Sequence, residues 1–200
     1  MDIFIPIAFA SLVGLAHAFD ADHLLAVSSI AARRDSTILA IKDGFFWGLG
    51  HTTTIVIIGT IIMTGRLTYL DFDLFELFVG LVLIALGLSR IISKENYYLL
   101  SDQYKHGAAY SVGLLHGLAG SGALILIVMS EVDQIPYGIL YLLIFGLGSI
   151  VGMLIVVGML RIPYTNRMKI SKRVKFSIEL IVSVLCIFYG SWMIYNVVPL

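Results

Sequence analysis

Apolar residues run almost unbroken through six stretches of the chain, roughly Ile3–Ala32, Lys42–Thr64, Phe72–Ile92, Ala108–Ser130, Tyr137–Arg161 and Val174–Val198. Each is close to or above the about 20 residues that a helix needs to cross a bilayer. The pattern predicts six transmembrane helices in an all-α integral membrane protein. No stretch between them is long enough for a soluble domain, so residues 1–200 read as one transmembrane domain. The first stretch is too long for one straight crossing. It must tilt or break, and the polar groups between His17 and His23 mark the place.

The apolar pattern repeats. Val13-Gly14-Leu15-Ala16-His17 matches Val112-Gly113-Leu114-Leu115-His116 at an offset of 99. Gly48-Leu49-Gly50 matches Gly146-Leu147-Gly148 at 98, and Glu76-Leu77 with Gly87 matches Glu179-Leu180 with Gly190 at 103. Three matches in the same order predict one unit of three helices copied once, with repeat one over about 3–93 and repeat two over about 106–198. An odd number of crossings forces the second copy to be inverted in the membrane. Secondary transporters built this way hold their substrate at the repeat interface, near the midplane, often on interrupted helices.

Composition and charge sharpen this. The chain is 59% hydrophobic and 13% charged, which is a membrane composition, and its formal net charge of zero points to no nucleic-acid partner. Of the thirteen Lys and Arg residues, twelve fall after stretches one, three and five, and Arg66 is alone on the other side. That asymmetry predicts both termini outside and the Lys169–Lys175 loop in the cytoplasm. The acids Asp71, Asp73, Glu76, Glu131 and Asp133 are then left outside. They read equally as a cation-concentrating mouth and as the residue of sorting basic side chains inward. Ala16-His17-Ala18 resembles a signal-peptide cleavage site, but the start carries Asp2 and no basic residue, so the segment is expected to be retained. The single cysteine, Cys186, excludes an internal disulfide and a paired-thiol electron carrier. No phosphate loop and no H-E-x-x-H segment is present, so neither ATP hydrolysis by this chain nor zincin chemistry is expected.

The chemistry sits in Ala16-His17-Ala18-Phe19-Asp20-Ala21-Asp22-His23. A charged residue in hydrocarbon costs about 2.5–3.5 kcal/mol on insertion scales, so ionisable groups there are functional candidates. Imidazole and carboxylate together suit a divalent transition metal. On a continuous helix His17, Asp20 and His23 share one face, spaced by about 60°, while Asp22 points away. A break near Asp20–Asp22 would turn Asp22 inward. His51 is the polar centre of the second stretch, in Gly48-Leu49-Gly50-His51-Thr52-Thr53-Thr54, either as a ligand or as a hydrogen-bonding bridge between helices. His116 opens His116-Gly117-Leu118-Ala119-Gly120-Ser121-Gly122 at the repeat position of His17. It reads as a ligand or gate, or as part of a close-packed small-residue segment. His106 falls in a loop and is expected to be solvated.

His17-Ala-Phe-Asp-Ala-Asp22-His23 resembles the H-x4-D-H signature of the nickel/cobalt transporters, and Gly50-His51-Thr52-Thr53-Thr54-Ile55 resembles their G-H-[S/T] segment. The later acidic D-T motifs of that superfamily are absent, with His116-Gly-Leu-Ala-Gly-Ser-Gly122 in their place. With the short length, this is more like the urease-accessory, UreH-like branch. The resemblance implies nickel, or cobalt, as the transported ion, no prosthetic group, and His17, Asp22, His23 and His51 as metal-binding positions. Helix geometry favours Asp20 where the resemblance favours Asp22. Taken together, the expectation is a secondary transporter importing Ni2+ or Co2+ across the cytoplasmic membrane, and not an enzyme, with His17, Asp20, Asp22, His23, His51 and His116 as its metal-binding set. An exporter of metal or of a small anion, and an intramembrane metalloenzyme, share the same pattern. The sequence leaves open a homo-oligomer and a separate ATPase subunit.

Overall fold

The computed structural model describes residues 4–32, 34, 36–65, 72–92, 105–119, 134–162 and 170–198. They form seven helices: α1 Phe4–His17, α2 Ala21–Ala32, α3 Thr37–Met63, α4 Phe72–Ile92, α5 Lys105–Ala119, α6 Ile135–Arg161 and α7 Lys172–Val197. Among the described residues there is no strand. Four helices, α3, α4, α6 and α7, are long and apolar enough to cross a membrane. Their outward faces carry exposed Leu, Ile, Val and Phe, among them Phe78, Leu81, Phe176 and Phe188. In water such faces would be aggregation sites; in lipid they are at home. The second half of the fourth apolar stretch, residues 120–130, lies outside the described residues, as do Arg66, Asp71, Glu131 and Asp133.

The long first stretch breaks. α1 and α2, of 14 and 12 residues, are each too short to span alone. The backbone N–H groups of Phe19 and Asp20 donate to Ala16 and His17 carbonyls in tight turns, and Leu24 N–H then donates to the Asp20 carbonyl to start α2. Asp20 thus takes the N-cap position, where aspartate is favoured, and Asp22 lies in the first turn, where its charge opposes the helix dipole. Elsewhere the ends are local chemistry. Gly65, at φ 68°, closes α3 in the left-handed conformation that glycine adopts without strain. Pro136 opens α6 in its first turn, and Ser171 Oγ accepts from Val174 N–H at the start of α7.

The helices pack as pairs: α3 against α5, α4 against α7, α1 against α6, with α3 and α6 crossing at the centre. α2 lies across α7, α6 and α3. Small residues permit this closeness. A Cβ at Gly14 would overlap the Phe145 carbonyl, and one at Gly113 would overlap the Trp47 carbonyl. Lipid supplies no hydrophobic drive between helices, so such backbone contact is what holds them. The core between the pairs is built from Ala18, Ala26, Val27, Trp47, Val79, Leu83, Met153, Val156 and Val157. A second apolar cluster, Ile55, Leu142 and Phe145, lies between α3 and α6. Arg90 of α4 and Glu179 of α7 make an ion pair across their interface.

Candidate metal centre

Three histidines from three helices meet at the α1–α2 break. His23 Nε2 lies 3.1 Å from His51 Nε2, and His17 Nε2 lies 3.3 Å from the same atom. The ligand atoms of His17, His23 and His51 all lie within 4.8 Å of one another. His23 and His51 are fully buried, while the His17 side chain keeps 13% of its surface exposed. The rings are bounded by Phe145, 5.4 Å from His17 between centroids, and by Trp47, 5.1 Å from His23.

The two carboxylates stand behind these rings. His17 Nδ1 lies 2.7 Å from Asp20 Oδ2 and His23 Nδ1 lies 3.0 Å from Asp22 Oδ2, both at ion-pair distance. A carboxylate only accepts, so each pair favours the tautomer with the ring proton on Nδ1 and the lone pair on Nε2. Asp20 is 54% exposed and Asp22 14%. The helix break sets each carboxylate beside a histidine of its own, Asp20 beside His17 and Asp22 beside His23.

Lone pairs converging at 3.1–3.3 Å repel unless a proton or a cation lies between them. One proton on His51 Nε2 can serve only one neighbour. A tetrahedral ion bonded to nitrogen at about 2.0–2.1 Å sets its ligands about 3.3 Å apart, and an octahedral one about 3.0 Å. The two separations from His51 fall in that span, and the third side of the triangle is no longer than 4.8 Å. The carboxylate–imidazole pairs are the arrangement that fixes tautomer and raises ligand basicity around such ions.

His116 is also fully buried, with its ring centroid 5.6 Å from that of His23 and 5.4 Å from Trp47. Its Nδ1–H donates to the Val112 carbonyl at 3.0 Å, which leaves Nε2 as an acceptor with no hydrogen-bond partner. His116 is therefore beside the trio and outside it. Thr54 Oγ1 donates to the Leu114 carbonyl at 2.9 Å, and a Cβ at Gly117 would lie 2.5 Å from the His51 carbonyl. Those contacts dock α5 on α3 and set the position of His116.

Two features escaped the sequence reading. His106 is not a solvated loop residue: it lies in the first turn of α5, stacks on Phe46 and donates from Nδ1 to Asp43 Oδ1 at 2.7 Å. Ser149 is completely buried with no partner for its Oγ. It occupies in α6 the place that His51 occupies in α3, 98 residues on, and extending the glycine match by one residue would have pointed to it.

No protein-family model matches the chain, and no solved structure does. The urease accessory protein UreH of Bacillus sp. (strain TB-90) is 33% identical over 171 residues, which cover 77% of this chain and 75% of the relative. That relative is named as an accessory protein, not as an enzyme, and the apolar helices make this chain a multi-pass membrane protein. The chain belongs to the UreH-like urease accessory branch of the nickel/cobalt transporter superfamily.

Proposed function

We propose that the chain is a secondary transporter that carries a divalent transition metal, nickel before cobalt, inward across the cytoplasmic membrane. The observation that carries this reading is the convergence of His17, His23 and His51 Nε2 at separations of 3.1 and 3.3 Å. Neutral imidazoles replace water ligands, and two carboxylates behind them balance the two positive charges of the ion. The cluster with its cargo is then close to neutral, which lowers the cost of placing a dication within lipid-embedded helices. His116 Nε2, bare and next to His23, offers a further nitrogen to an ion leaving the trio. The ion is cargo and not a resident cofactor.

The architecture that goes with this reading is six spans in two inverted repeats, over about 3–93 and 106–198, with both termini outside. Paired contacts support it. Gly14 meets the Phe145 backbone as Gly113 meets that of Trp47, and Gly148 meets Ser11 as Gly50 meets Tyr110. Each pair maps onto the other through the same offsets of 98 and 99 that relate the repeats. In that frame α1 and α2 are one interrupted crossing, and the histidines sit at the interruption.

Flux of nickel, cobalt, zinc, manganese and sulfite into proteoliposomes tests the reading. The wild-type protein should carry nickel and cobalt, and His23→Ala should not. Metal-independent anion flux, or equal nickel flux in the two proteins, would overturn it.

A further inference from the structure

We infer that Arg34, Asp43, His106 and Arg161 form the closed barrier of the ion pathway on the side of the basic loops. This rests on the transport reading above. Asp43 lies in α3 and is 2% exposed. Its carboxylate accepts both Arg34 Nε–H and Arg34 Nη2–H, and also His106 Nδ1–H at 2.7 Å. Arg161, at the end of α6, donates from Nη1 to the Arg34 carbonyl at 2.6 Å. Arg34 and Arg161 are both buried. One knot therefore ties four parts of the chain: the segment between α2 and α3, α3 itself, the start of α5 and the end of α6.

The knot stands in line with the histidine cluster. Asp43 precedes His51 by two helical turns on α3, about 12 Å along the axis. Trp47 lies midway, almost fully buried, with its ring against His23 and His116. An ion leaving the trio towards this end meets first the indole and then a knot in which Arg34 already holds the Asp43 carboxylate and Arg161 adds a further positive charge, and an arginine set in a pore excludes cations. Buried ion pairs contribute little net stability, and in some proteins they select one arrangement over another. Here the arrangement selected is closure. Release requires α5 and the chain before α3 to part from Asp43, because His106 and Arg34 share its carboxylate.

The test uses the two tryptophans of the chain. Trp192 is exposed on α7, so Trp192→Phe leaves Trp47 as the sole reporter. Iodide should quench Trp47 weakly in the purified Trp192→Phe protein in detergent. In Trp192→Phe/Asp43→Asn the quenching constant should rise severalfold, and in Trp192→Phe/His106→Ala by a smaller factor. Should the Asp43 variant not fold, the His106 variant carries the comparison. Quenching unchanged in every folded variant overturns the barrier. A rise in quenching together with absent metal flux in the wild-type protein would keep the barrier and sink the transport reading instead.

Discussion

His23 Nε2 and His51 Nε2 stand 3.1 Å apart in a fully buried site, on helices whose chain positions differ by 28 residues. Only a shared proton or a shared cation makes that distance favourable. The sharing predicts the effect of removing the central ring. His51→Ala should strongly weaken nickel binding measured by calorimetry in detergent, because His51 Nε2 is the nitrogen that both His17 and His23 face. Breaking one ligand of three costs more than a charge-assisted hydrogen bond, about 1.5–3 kcal/mol, so the affinity should fall by at least about tenfold to a hundredfold. Wild-type affinity in His51→Ala would place the ion elsewhere.

The carboxylates should behave differently from the histidines. On the proposed reading Asp20 and Asp22 would bear on the ion through the rings they face, and losing such a partner costs about 10–100-fold in metal affinity. Asp22→Asn is expected at the upper end, since Asp22 is 14% exposed and its histidine is fully buried. Asp20→Asn is expected at the lower end, because Asp20 is 54% exposed and water competes for His17. Both variants should still bind metal at higher concentration. A complete loss in either would show the carboxylate to be a direct ligand.

Part of this site was legible from the amino-acid order alone, for a physical reason. Ionisable groups are costly in lipid, so His17, Asp20, Asp22, His23 and His51 stand out against an apolar background. The role of each carboxylate was not legible. A continuous helix at about 100° per residue groups Asp20 with both histidines, and the break at 18–20 resets that phase. The contact of His106 with Asp43 spans 63 residues, and no local periodicity encodes a meeting at that separation. Ser149 was hidden because serine in an apolar helix carries little signal until the repeat is extended onto it.

Acidification gives a second kind of test. Imidazole binds a metal only when its Nε2 is unprotonated, and an ordinary imidazole titrates near pH 6.5. Protons therefore compete with the ion, and nickel binding should weaken as the pH falls below about 6. Calorimetric titration between pH 5 and 8 should show affinity rising with pH and then levelling. A flat profile would mean that no proton competes with the ion in this range.

Stability should follow where glycine is pressed against backbone. A Cβ at Gly14 would overlap the Phe145 carbonyl, and one at Gly113 would overlap that of Trp47, so the helix pairs α1/α6 and α3/α5 must separate to admit it. Overpacking of this kind costs about 1–3 kcal/mol, and backbone cannot move aside as a side-chain tip can. Gly158 in α6 is the contrast, with nothing within 4 Å of the same position. There alanine only removes the cost of glycine in a helix, about 1 kcal/mol. In detergent, Gly14→Ala and Gly113→Ala should lower the melting temperature, and Gly158→Ala should leave it equal or raise it. Because Phe145 and Trp47 also bound the histidine cluster, the first two variants should weaken nickel binding while Gly158→Ala should not. Equal melting temperatures in all three would mean that the helices are not held at backbone contact, and the site they frame would lose its support.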